Sequence, residues 1–126
     1  MTSDEFRRIA LSLPGASERS HMGHPDFRAA NGRIFATLQY PDKDWGMVKL
    51  PPEQQNNFVQ DHPKAFVPVK GAWGRQGCTS VLLHAAAKDT VAEALRIACS
   101  SAGKPVKQAS KARGSKASAA SRRPAR

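Results

Sequence analysis

Cysteine is scarce in this chain of 126 residues: only Cys78 and Cys99 are present. Two thiols cannot build a disulfide framework or a cysteine-rich zinc site, which points to a reducing, cytoplasmic setting. Long apolar runs are missing as well. Nothing approaches the roughly 20 apolar residues of a membrane span. Arg7 and Arg8 interrupt the first apolar stretch, so no secretory segment is expected. Signatures of catalysis are absent too. There is no G-x-S-x-G, neither cysteine has a recognisable histidine context, and the acids are scattered rather than paired. A non-enzymatic protein without a cofactor is the expectation. Acidic residues are few, with 10 Asp+Glu against 20 Lys+Arg and a formal net charge of +10.

That charge is unevenly placed. Residues 104–126 contain Lys104, Lys107, Lys111, Arg113, Lys116, Arg122, Arg123 and Arg126 and no acid. Twelve basic and ten acidic residues remain in 1–103, a net of +2. Apart from Val106 and Gln108, the last 23 residues are Ala, Ser, Lys, Arg, Pro and Gly. So little apolar bulk cannot offset the entropy of ordering, and a disordered basic tail is expected after one domain spanning 1–103. Eight cations on such a tail attract any polyanion, and counterion release from phosphates drives binding without base reading. DNA is the expected partner, with RNA the alternative polyanion. A membrane partner is disfavoured because the tail has no apolar face.

In 1–103 the periodicities alternate between helix and strand. Thr2 and Glu5 have the spacing of a capping box, and Phe6, Ile9, Ala10 and Leu13 form one stripe, predicting a helix over 2–13 that Pro14-Gly15 ends. Residues 14–25 read as a loop. Asn31-Gly32 between two alternating runs predicts a two-residue type I′ hairpin over 26–38. That register pairs Phe27 with Ala36 and Arg28 with Phe35. It turns Phe27, Ala29, Ile34 and Ala36 to the core and Arg28, Arg33 and Phe35 outward. Residues 39–44 read as a turn, 45–50 as a third strand, and Pro51-Pro52 as the start of a helix to about Asp61. Strands over 65–69 and 78–83 follow, then a helix capped by Asp89 and ended by Gly103, with Val91, Leu95, Ala98 and Ala102 inward. The sum is an α+β two-layer sandwich, α-βββ-α-ββ-α, with a mainly antiparallel five-stranded sheet and helices on one face.

Three constellations carry possible chemistry. Arg28, Arg33 and Phe35 on the outward hairpin face would join a stacking ring to phosphate-tracking cations, unless Phe35 packs away and the arginines are simply solvated. The segment 70–77 spaces Lys70, Trp73, Arg75 and Gln76 between glycines, which suits a wing tip touching phosphates or base edges. It lacks the Gly-Lys-Ser/Thr of a phosphate-binding P-loop, and its alternative is a plain hairpin connection with Trp73 as a core lid. His21-x-x-His24-x-Asp26, with His62 or His84, invites a metal reading. The spacing matches no standard zinc pattern, and loop histidines bonding backbone are the simpler account.

From residue 5 to about 100 the chain resembles the MmcQ/YjbR family. The residues that carry this are Ala10-Leu-Ser-Leu-Pro-Gly15, His21-Met-Gly-His-Pro-Asp-Phe27, Gly32-Arg-Ile-Phe-Ala-Thr-Leu38, Trp45-Gly-Met-Val-Lys-Leu50 and Phe66-Val-Pro-Val-Lys-Gly-Ala-Trp-Gly-Arg-Gln-Gly77, followed by the closing helix. The resemblance implies a frataxin/CyaY-like sandwich and DNA binding through a double-wing arrangement. The residues themselves make an iron site of the frataxin kind a poor expectation, since the first helix offers only Asp4 and Glu5 before Arg7 and Arg8. Ala72 stands where members often carry Lys or His. The alternative to DNA binding is a module for a small molecule or protein partner, with the tail a localising device.

Overall fold

The computed structural model describes residues 1–39 and 42–103. The expected tail, with its eight cations, lies outside the described residues. α1 (Ser3–Ser12) starts on the capping box read from the sequence. The Thr2 hydroxyl accepts from Glu5 N–H at 3.1 Å, and the Thr2 N–H donates to the Glu5 carboxylate at 2.9 Å. The remaining elements are β1 (Ser17–His21), β2 (His24–Arg28), β3 (Ile34–Leu38), β4 (Trp45–Lys49), α2 (Pro52–Asp61), β5 (Phe66–Pro68), α3 (Ala72–Arg75), β6 (Cys78–Leu82), a single 3-10 turn (Leu83–Ala85) and α4 (Lys88–Ala102).

The fold is α+β, with six strands rather than five, in the order β1-β2-β3-β4-β6-β5. Every neighbouring pair is antiparallel. The additional strand is β1, which lies where a loop was expected. Its five residues, Ser-Glu-Arg-Ser-His, are all exposed, so no apolar alternation marks them. A charged, polar sequence is also what protects a sheet edge from pairing with another chain. β1 turns into β2 through Met22-Gly23, between the paired His21 and His24. Met22 (φ 50°) and Gly23 (φ 81°) both lie in the left-handed region, which makes this the type I′ turn.

Asn31-Gly32 does not form one. The Ala29 N–H donates to Arg33 O at 2.8 Å and Gly32 N–H to Ala29 O at 2.9 Å. Only Gly32 (φ 87°) has positive φ there. That is a three-residue loop closed by a left-handed glycine. The longer loop shifts the register by one, so Arg28 pairs with Ile34, not Phe35. The next pair is Phe27 with Ala36, as expected, because Phe35 is an extra, bulged residue in β3 that restores the register. The bulge turns Phe35 to the helix side, where it is fully buried. Phe35 is therefore core, and its expected outward stacking role is corrected.

α1 and α4 pack on one face of the sheet, against each other and against β3. Phe6, Phe27, Phe35, Ala36, Val48, Val81, Val91 and Leu95 form the centre of that layer, all fully buried. Gly46 lets α1 approach: a Cβ there would lie 3.0 Å from the Phe6 ring. α2 packs beside β5, with Phe58 and Phe66 rings 5.2 Å apart. α4 begins one residue before the expected cap. Ala87 holds the N-cap position without a side-chain bond, and Asp89 sits in the first turn, where a negative charge complements the helix dipole. Among the described residues no helix is long and apolar enough to cross a membrane.

Candidate functional site

The face of the sheet opposite α1 and α4 carries an open groove of about 1000 Å³. Strand alternation builds its floor. Arg28 on β2, Ile34 and Thr37 on β3, Met47 and Lys49 on β4 and Cys78 on β6 all project to this side and line it. Met22 at the β1–β2 turn, Arg33 after the β2–β3 loop, and Trp73 and Gln76 on the β5–β6 connection add walls, and the groove reaches round to Ser101 and Ala102 at the C-terminal end of α4. Among the described residues the lining holds Arg28, Arg33, Lys49 and His21, and no aspartate or glutamate.

The nearest carboxylate, Asp26, is fully buried and already engaged. Its Oδ1 accepts from Arg28 Nε at 2.9 Å and its Oδ2 lies 2.7 Å from His21 Nδ1. Burial by itself would raise the Asp26 carboxyl, but the hydrogen bonds and charges of Arg28 and His21 prevail and hold it below the usual carboxylate range. Asp26 also holds Arg28 more firmly protonated. The network fixes the Arg28 guanidinium in the groove with two of its five N–H donors used by Asp26.

A pH dependence follows. A carboxyl whose folded pKa is depressed stabilises the fold above its unfolded pKa, near 3.9, and that contribution is lost as pH falls through the lower, folded value. Stability measured by urea titration should therefore drop on acidification below about pH 4. Asp26→Asn should be less stable near neutrality and show a flatter acid limb. An unchanged acid limb would remove Asp26 from the account.

The β5–β6 connection is built for close backbone approach. A Cβ at Gly74 would sit 1.7 Å from the Val69 carbonyl oxygen, and one at Gly77 equally close to that of Leu50. Gln55 of α2 clamps the same segment, donating from Nε2 to Gly74 O at 2.8 Å and Cys78 O at 3.2 Å. The clamped segment forms the single turn α3, and that turn displays Trp73 at 65% exposure. Trp73 is thus a wall of the groove and not a core lid.

The sequence-predicted residues divide accordingly. Arg28, Arg33 and Trp73 meet at the groove, Phe35 is buried beneath the sheet, and Lys70 and Arg75 are exposed on the β5–β6 connection outside the groove lining. His21 and Asp26 bond each other, with a guanidinium where a metal was considered. Among the described residues no three His, Cys, Asp or Glu come together to hold a metal ion. Both thiols are buried, and burial pushes each above the ordinary thiol pKa. Lys49 and Met22 were missed from sequence. The period of β4, which turns Val48 inward and Lys49 outward, was the available signal for the first.

Comparison with known proteins agrees on the fold. The crystal structure of the Deinococcus radiodurans protein DR2400, described with a DUF419 domain, superposes with a TM-score of 0.62 at 20% identity. The match covers 77% of this chain and 75% of that one. No curated protein matches the chain. The YjbR family model matches residues 11–98, in keeping with the motifs from Ala10 to the closing helix, and the chain is a member of the YjbR family.

Proposed function

We propose that this protein is a non-catalytic DNA-binding protein. Arg33 beside the β2–β3 loop and Lys70 and Arg75 on the β5–β6 connection act as wings, and the basic tail supplies sequence-independent affinity. It would act in the cytoplasm, at the nucleoid. The single observation that carries this reading is electrostatic: among the described residues the groove is lined by Arg28, Arg33, Lys49 and His21, the nearby carboxylate of Asp26 being buried and bonded to Arg28 and His21, in a chain whose last 23 residues add eight cations and no acid. RNA satisfies the same charges and is the alternative polyanion.

Duplex-DNA affinity measured against salt tests it. If every tail cation meets a phosphate, the full chain should exceed residues 1–103 by up to about 7 in log–log salt slope. Residues 1–103 should retain measurable binding, and charge reversal at Arg33, Lys70 or Arg75 should weaken it. Loss of all binding with the tail would overturn a DNA surface on the domain. The groove favours a second reading, because about 1000 Å³ is the size of a small-molecule pocket. A melting-temperature shift from a small-molecule screen, with the charge reversals silent, would favour that one.

A further inference from the structure

Four large apolar side chains are conspicuously exposed in the described residues: Leu11, Met22, Val67 and Trp73. Two of them, Met22 at 91% and Trp73 at 65%, line the same basic groove. Neither exposure is an accident of a loose loop. Trp73 stands on a turn held by Gln55 and by the Gly74–Val69 backbone contact. Met22 occupies a left-handed position (φ 50°) that most side chains avoid. A ring and a thioether held in water beside cations are a surface prepared for a partner.

The geometry points to a single-stranded nucleic acid segment as the occupant of this groove, with Trp73 stacking on an unpaired base and Arg28, Arg33 and Lys49 meeting its phosphates. This rests on the nucleic-acid reading above and narrows it. The chemistry favours this occupant over others. In a duplex each base is covered by its neighbours, whereas an unpaired base offers its flat face to an aromatic ring. Arg28 and Lys49 stand two strands apart, about 10 Å, so the positive charge runs along the groove instead of meeting at one point. Spread charge suits a chain of phosphates better than one anionic group. Arg28 keeps three N–H donors free of Asp26, and the Gln76 amide can both donate to and accept from base edges.

The test uses the full chain and two labelled ligands, a single-stranded oligonucleotide and the duplex of the same sequence. Affinities are measured at about 200 mM salt, where diffuse phosphate contacts are weakened. Trp73→Ala should weaken single-strand binding roughly tenfold and duplex binding by much less, and Trp73→Phe should restore most of the loss. In a Trp45→Phe background, Trp73 is the sole tryptophan, and the single strand should quench its emission. Trp45 is half-buried and does not line the groove. Equal single-strand affinity in wild type and Trp73→Ala, with duplex binding intact, would overturn this inference and leave the DNA-binding reading standing. Failure of both ligands to bind even at low salt would overturn both. Quenching of Trp73 by polyglutamate but not by the oligonucleotide would overturn it in favour of an acidic protein partner.

Discussion

Phe35→Ala should destabilise the fold by roughly 3–5 kcal/mol, the usual loss for truncating a buried phenylalanine. The size of this effect separates two registers of the same hairpin. With a two-residue turn at Asn31-Gly32, Phe35 would stand outward opposite Arg28, and its removal would change stability by a few tenths of a kcal/mol, as surface substitutions do. In the structure Phe35 is the bulged residue of β3 and has no exposed surface. It lies in the same layer as Phe27, Ala36, Leu95 and Ala98. Truncation leaves a cavity that a close-packed sheet-and-helix layer only partly closes. Chemical denaturation of wild type and variant decides the matter through the midpoint at constant slope. Ile34→Ala is the internal control. Ile34 is only half-buried, on the groove side, and its loss should be smaller.

The second large effect is expected at Gly77. A Cβ there would lie 1.7 Å from the Leu50 carbonyl oxygen, and φ is +110°, where side chains are rarely tolerated. Overpacking and backbone strain each contribute about 1–3 kcal/mol, so Gly77→Ala should lose roughly 3–5 kcal/mol. The contact cannot relax cheaply, because Leu50 N–H donates to Gly77 O at 2.9 Å and joins the end of β4 to the start of β6. Separating these backbones would also loosen the segment that carries Trp73. Gly71→Ala, on the same connection, is the comparison. Its φ is also positive, but nothing lies within 4 Å of the added carbon. It should lose about 1–3 kcal/mol from strain alone. Equal losses for the two variants would show that strain, not close approach, governs this connection.

Elements with a local signature are legible in the sequence. α1 follows from one capping box and one stripe, because a helix end and a buried face are both written within 12 residues. α2, β4, β5, β6 and the inward face of α4 follow in the same way from short-range period and punctuation. The hairpin over 26–38 was legible as a hairpin, and the Phe27–Ala36 pair was correctly matched. Its loop length was not legible. Asn-Gly suits a two-residue turn, yet here the Asn31 side chain accepts from Arg33 N–H and donates to Ala102 O at the end of α4. A partner 71 residues away in the chain helps select the loop.

The amino-acid sequence by itself determined the class, the three long helices, the antiparallel preference, the family and the concentration of charge after residue 103. Each is a property of composition or of a window of a few residues, where propensity and periodicity act directly. Only the tertiary structure decided that 17–21 is an edge strand, that Phe35 faces the helices, and that Met22, Lys49 and Trp73 share a groove with Arg28 and Arg33. The physical reason is common to all three. A polar edge strand is specified by its neighbour's unpaired backbone and not by its own apolar pattern. A bulge is selected by what the opposite layer needs filled. A groove on the open face of a sheet gathers residues from strands and loops far apart in sequence, and no local period records their meeting.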